Sequence, residues 1–192
     1  MNVILFRIIL TTFTLLCLFQ LGFAQTKEKS TPDKKIVAPT VSVAKCNKTT
    51  KNAEAEKLCN SGLNLIVQQK LDQAISAFTK AIELDPTYDD AYNHRGDAYN
   101  WKKDYDLAIG DLTKAIEINP KRLYLYIHRG STYFIEGKRY ELAIADYTKA
   151  IELNPKNDSL YRMRAMIYDA AGHKDLADAD LQKAKELRQQ PK

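Results

Sequence analysis

Two histidines, His94 and His128, sit in nearly the same local string, Tyr-Asn-His-Arg-Gly and then Tyr-Ile-His-Arg-Gly. A pair of imidazoles at matched positions could share a metal ion. A tetrahedral site needs four donors, however, and no further donor recurs beside them. Histidines satisfied by their neighbours are the favoured reading, and no metal is expected. His173, next to Gly172, reads as a solvated turn residue. Cys46 and Cys59 could form a disulfide in an oxidising compartment, closing a loop worth roughly 3 kcal/mol in the chain-entropy account. The alternative is two independent thiols. The many carboxylates sit at helix starts and on solvated faces. There is no phosphate-binding Gly-rich loop, no Gly-x-Ser-x-Gly, no His-Glu-x-x-His, and no nucleophile with a base and an orienting group. No cofactor and no enzymatic activity are expected.

What positions these residues is a repeat. Aligned on Ala-x-x-x-large-x-x-Ala, the chain gives Ala74, Phe78 and Ala81, then Ala108, Leu112 and Ala115, then Ala143, Tyr147 and Ala150, then Ala177, Leu181 and Ala184. Upstream, Gly62, Gly96, Gly130 and Ala165 align, as do Leu65, Tyr99, Tyr133 and Tyr168; downstream, Pro86, Pro120 and Pro155 align. The unit carries two apolar stripes at helical spacing, broken by a short polar turn such as "WKKDY". Proline stops the second helix, because the residue before it avoids the α region. Asp89 and Asp90 then open the next helix, where carboxylates suit its dipole. A lone hairpin cannot bury its faces, whereas stacked hairpins share a continuous core. The fold class is therefore all-α: a helix-turn-helix solenoid of about four repeats, at about 55–88, 89–122, 123–157 and 158–190.

The ends differ from the repeats. Residues 1–24 place one early cation, Arg7, before an apolar run from Ile8 to Leu21 and a small-residue ending at Gly22 and Ala24. That pattern reads as a secretory signal cleaved after Ala24, the alternative being a retained anchor. Export to the periplasm, the cell envelope or the medium follows, with no stable membrane insertion after cleavage. Residues 25–51 hold seven lysines against Glu28 and Asp33 and read as a basic flexible linker. Residues 52–192, the repeat domain, balance to a net charge of −1, from 21 Lys and Arg against 22 Asp and Glu. The basic pI belongs to the linker, so a nucleic-acid face is not indicated.

With these positions in register, residues 52 to 188 resemble the tetratricopeptide repeat family. The family pattern has a large residue at repeat position 4, met by Leu58, Tyr92, Tyr126 and Tyr161, and its Gly or Ala at 8, Tyr at 11, Ala at 20 and 27, and Pro at 32 fall on the residues above. Leu65 departs from the Tyr, and Gln189 from the last Pro. The resemblance implies a right-handed superhelix whose concave groove binds a peptide or partner protein, with positions 2, 5, 9 and 12 lining it. Those positions give Asp90, Asn93, Asp97 and Asn100 in the second repeat; Tyr124, Ile127, Ser131 and Phe134 in the third; and Ser159, Arg162, Met166 and Asp169 in the fourth. Trp101 could extend the aromatic edge. A partner segment pairing Lys or Arg with a bulky apolar residue is the expected ligand, the cation meeting Asp90 and Asp97. The clamp that some relatives use for acidic chaperone tails needs Lys and Asn, then Lys and Arg, where this chain has Cys59 and Leu63, then Tyr124 and His128.

Position 7 departs from the family habit of an apolar residue: it is Ser61, Arg95, Arg129 and Arg164, while position 23 is Ala77, Asp111, Asp146 and Asp180. A half-buried guanidinium needs a carboxylate, and its planar fork fits one bidentately. Three structural pairs follow: Arg95 with Asp111, Arg129 with Asp146 and Arg164 with Asp180. The function expected is a non-catalytic peptide- or protein-binding module. The alternative is a scaffold subunit of an envelope or secretion assembly that uses its convex face and ends.

Overall fold

The computed structural model describes residue 46 and residues 50–137 and 139–189; the signal segment and most of the linker lie outside the described residues. Among the described residues, eight helices follow in chain order. They are α1 (Ala53–Val67), α2 (Leu71–Leu84), α3 (Asp89–Lys102), α4 (Tyr105–Ile118), α5 (Leu123–Glu136), α6 (Tyr140–Leu153), α7 (Asp158–Ala170) and α8 (Lys174–Gln189). They pair as hairpins α1–α2, α3–α4, α5–α6 and α7–α8, and each hairpin packs on the next through α2–α3, α4–α5 and α6–α7.

The punctuation is local. Asn52 caps α1, its side-chain oxygen accepting from the amides of Glu54 and Ala55 at 3.0 and 3.2 Å. Each odd-numbered helix ends near a residue with positive φ: Gln69, Lys103, Gly137 and Gly172. Three of these turns close with an amide reaching back five residues: Lys70 to Leu65, Asp104 to Tyr99 and His173 to Tyr168. Between hairpins, the Tyr126 and Tyr161 hydroxyls donate to the Pro120 and Pro155 carbonyls at 3.0 and 3.1 Å, fixing how each new helix leaves the turn.

The core explains the small residues. Ala74, Ala108 and Ala143 at position 20, and Ala81, Ala115 and Ala150 at position 27, are fully buried. A Cβ at Gly62 would lie 2.5 Å from the Phe78 ring, and one at Gly130 would lie 3.1 Å from both Asp146 Cβ and the Tyr147 ring. These hairpins therefore close only around a missing side chain. Phe78, Leu112 and Tyr147, buried behind Gly62, Gly96 and Gly130 in turn, contribute roughly 1.5–3 kcal/mol each.

The two layers differ in curvature. α1 contacts α3 and α3 contacts α5, and no comparable contact joins successive even-numbered helices among the described residues. The odd-numbered helices therefore form the inner, concave layer. α5 and α7 approach each other less closely than the two preceding inner pairs.

Candidate functional site

Three arginines brace the stack. Arg95 donates from Nε and Nη2 to the two Asp111 carboxylate oxygens at 2.7 and 2.8 Å. Arg129 does the same to Asp146 at 2.9 and 2.7 Å, and Arg164 to Asp180 at 2.8 and 2.8 Å. Each also uses Nη1 to reach a threonine of the preceding hairpin: Thr79, Thr113 and Thr148, at 2.9, 3.0 and 2.8 Å. The threonines are absent from the sequence reading. They recur two residues after position 23, and that register could have found them. They also explain the exception at Ser61 and Ala77: the first hairpin has no predecessor to brace. With their donors engaged and the carboxylates buried, these groups hold the architecture.

The inner layer is not uniformly open. At its first hairpin, Cys46 and Cys59 form a disulfide with Cα atoms 6.2 Å apart, both side chains are buried, and the Cys46 amide donates to Asn60 at 3.1 Å. Thr50 donates to the Asp85 carboxylate, tying the same segment down. Cys46 thus packs over the inner strip at Cys59, in one buried cluster with Leu63.

The seam between α3 and α5 is closed by polar bridges. The Tyr124 hydroxyl donates to Asp90 at 2.7 Å, His128 Nδ1 lies 3.0 Å from Asp97 Oδ1, and the Asn100 amide donates to Thr132 at 2.7 Å. The His128 contact is an ion pair while the imidazole is protonated. Arg122 pairs with both Asp89 and Asp90, and its guanidinium stacks 4.5 Å over the Tyr124 ring. His94 lies 3.8 Å from Asp97 on the other side. Burial opposes ionisation of Asp97, but the two histidines override it and hold its carboxyl at about 2. Burial likewise opposes the charge on His128, and the hydrogen bond and attraction from Asp97 raise its pKa above 6.5. Burial and the bond to Asp90 push the Tyr124 phenol far up, so it stays a donor.

Asp90 and Asn93, expected on the open groove, are only 1% exposed. The expectation treated each position as independent, whereas side chains of the next repeat reach across the seam, Tyr124 to Asp90 and His128 to Asp97. Asp97 and Asn100 are half-buried in the same seam, and Trp101 stands at the hairpin turn, highly exposed. His94 and His128 share a carboxylate, and among the described residues no group of three or more ligand-type side chains could hold a metal.

The inner strip opens between α5 and α7. Ile127 and Phe134 are partly buried against the core beneath, with Phe134 tilted against Tyr140 at 6.1 Å between centroids. Arg162, Met166 and Asp169 are exposed on α7. A separate open cavity of about 420 Å³ lies between α7 and α8 at the end of the stack, lined by Met166, Asp169, Lys174, Ala177, Asp178 and Leu181.

Profiles described as TPR repeat or tetratricopeptide repeat match residues 62–100, 89–122, 123–157 and 146–180 in succession. Among solved structures, the chain is similar to a crystal structure of MamA, with TM-score 0.65 and 28% identity over 70% of this chain and 78% of that one. It is also similar to the first TPR domain of Spaghetti (RPAP3) bound to the HSP90 peptide SRMEEVD, with TM-score 0.59 and 28% identity over 62% of this chain and 94% of that one. A fragment of MamA from Desulfovibrio magneticus shares the fold at TM-score 0.64 and 22% identity, over 70% of this chain and 75% of that one. A register of small and aromatic residues that persists through stacked hairpins, and matches these profiles repeat after repeat, makes the chain a member of the tetratricopeptide repeat family.

Proposed function

We propose that the chain is exported and binds an extended segment of a partner protein along α5 and α7, without catalysing a reaction. The family and fold are those of protein–protein interaction modules, and the RPAP3 domain holds a peptide. The observation that carries the location is the contrast along the inner layer. The disulfide-tethered Cys46 covers its first part, and polar bridges close its second. The third keeps an apolar floor, Ile127 and Phe134, beside exposed Met166, Arg162 and Asp169. Aromatic and apolar anchors ringed by charge concentrate interface energy. The ligand that fits is a segment pairing a bulky apolar residue with a charged one. Its cation would meet Asp169 rather than Asp90, whose carboxylate is already bridged.

A random-peptide display library panned on the protein tests this. Enriched peptides should share an apolar–charged pair and lose roughly tenfold or more in affinity with Met166→Ala or Arg162→Glu, both surface changes. Peptides indifferent to both substitutions, or no enrichment at all, would contradict the assignment. A scaffold role is the second reading, and the exposed apolar residues outside the concave face favour it.

A further inference from the structure

Six of the most exposed large apolar side chains fall at only two places in the repeat. Val67 (51% exposed), Trp101 (62%) and Ile135 (62%) end the inner helices α1, α3 and α5. Leu107 (55%), Leu142 (47%) and Leu176 (50%) stand in the first turns of the outer helices α4, α6 and α8. All flank the turn inside a hairpin, so they line one edge of the solenoid, away from the concave face. Scattered exposed apolar residues need no explanation, but a line of them in register does.

The charges on that edge are arranged as a ladder. Lys102 pairs with Asp72, Arg139 with Asp106 and His173 with Glu141, at 2.5, 2.7 and 3.2 Å, each rung joining one turn to the next. Arg139 also pairs with Glu136 at 3.1 Å. Both signs are present and largely matched within the edge. A strongly charged partner, nucleic acid or anionic lipid, finds no net attraction there.

We infer that this edge is where a second copy of the chain docks. The apolar residues recur at the pitch of the repeat. A second copy carries the same pitch, so two edges laid antiparallel about a twofold axis bring Trp101 and Leu107 opposite Ile135 and Leu142 of the other copy without adjustment. The alternating charges are self-complementary under the same rotation, as an isologous interface requires. The contact uses only the last turn of α5, at Ile135, and leaves Ile127, Ser131, Arg162 and Met166 free, so it is independent of the peptide reading and stands or falls separately from it.

Sedimentation equilibrium on the chain as it accumulates in the producing cell is the test, comparing the native sequence with Trp101→Glu/Ile135→Glu. A dimer is expected, with association weakened on the order of 100-fold in the variant and an unchanged melting midpoint by circular dichroism. Trp101 is the only tryptophan, so its emission should shift to the red as the native dimer is diluted through its dissociation range; this readout holds even if the variant folds poorly. A monomer at ~100 μM, a concentration ample for ordinary dimers, would overturn the inference. So would a dimer whose tryptophan emission is unmoved on dissociation, or a dimer that the double substitution leaves intact. Binding to phosphatidylcholine vesicles in place of dimerisation would also overturn it.

Discussion

Replacing Arg129 by alanine removes three hydrogen bonds at once, two to Asp146 and one to Thr113. The Asp146 side chain is only 6% exposed, so its carboxylate is left in a dry place with no partner, whereas Arg129 itself is 18% exposed. Breaking one side of such a pair costs about 3–5 kcal/mol, most of it the stranded charge. At about 2 cal/mol/K per residue, a domain of this size loses about 10–14 °C in melting midpoint for 3–4 kcal/mol. Asp146→Ala should cost less, about 2 kcal/mol, because the longer guanidinium can reach water. The double substitution strands neither charge, so the two single effects should overshoot the double by about 2 kcal/mol. Urea unfolding followed by circular dichroism measures all three, with exposed Arg162→Ala as a control expected to cost under about 0.5 kcal/mol. A loss below about 1 kcal/mol for Arg129→Ala, or strictly additive effects, would refute the reasoning.

The Asp97–His128 contact makes stability pH-dependent. The raised histidine pKa adds stability that is full below 6.5 and fades as pH rises through the folded value, while the carboxyl held at about 2 adds stability that fades as pH falls below 3.8. The melting midpoint should therefore fall as pH rises above 6.5, and His128→Gln should flatten that slope. Lys103 holds φ at 67° where the third hairpin uses Gly137; Lys103→Gly should stabilise by roughly 0.5–1 kcal/mol in thermal melts. Gly62→Ala should destabilise by roughly 1–3 kcal/mol, since the new methyl meets the Phe78 ring at 2.5 Å. Reducing the Cys46–Cys59 bond should lower stability by roughly 3 kcal/mol and open residues 46–51 to limited proteolysis.

The hairpins were legible because their signals are local and repeated: Gly62 needs Phe78 behind it, and Pro86 ends a helix wherever the register puts it. The partnership of Arg95 with Asp111 was visible as two columns that change together, since Ser61 and Ala77 abandon both identities at once. The threonine rungs were not legible, because a neutral side chain raises no question of compensation. The groove was the least legible part. Whether Asp90 faces solvent depends on what α5 lays over it, and a Tyr at 124 and a His at 128 reach across the seam where shorter residues would leave it open. Which inner helices touch is set by the curvature of the stack, a property of no single repeat.

The most direct measurement is amide chemical-shift mapping of the labelled protein titrated with a display-selected peptide. Shifts should cluster on α5 and α7, at Ile127, Ser131, Arg162 and Met166, and leave α2, α4 and the turn edge unmoved. Shifts confined to the outer helices or to the turn edge, with Arg162 and Met166 silent, would contradict binding on the concave face.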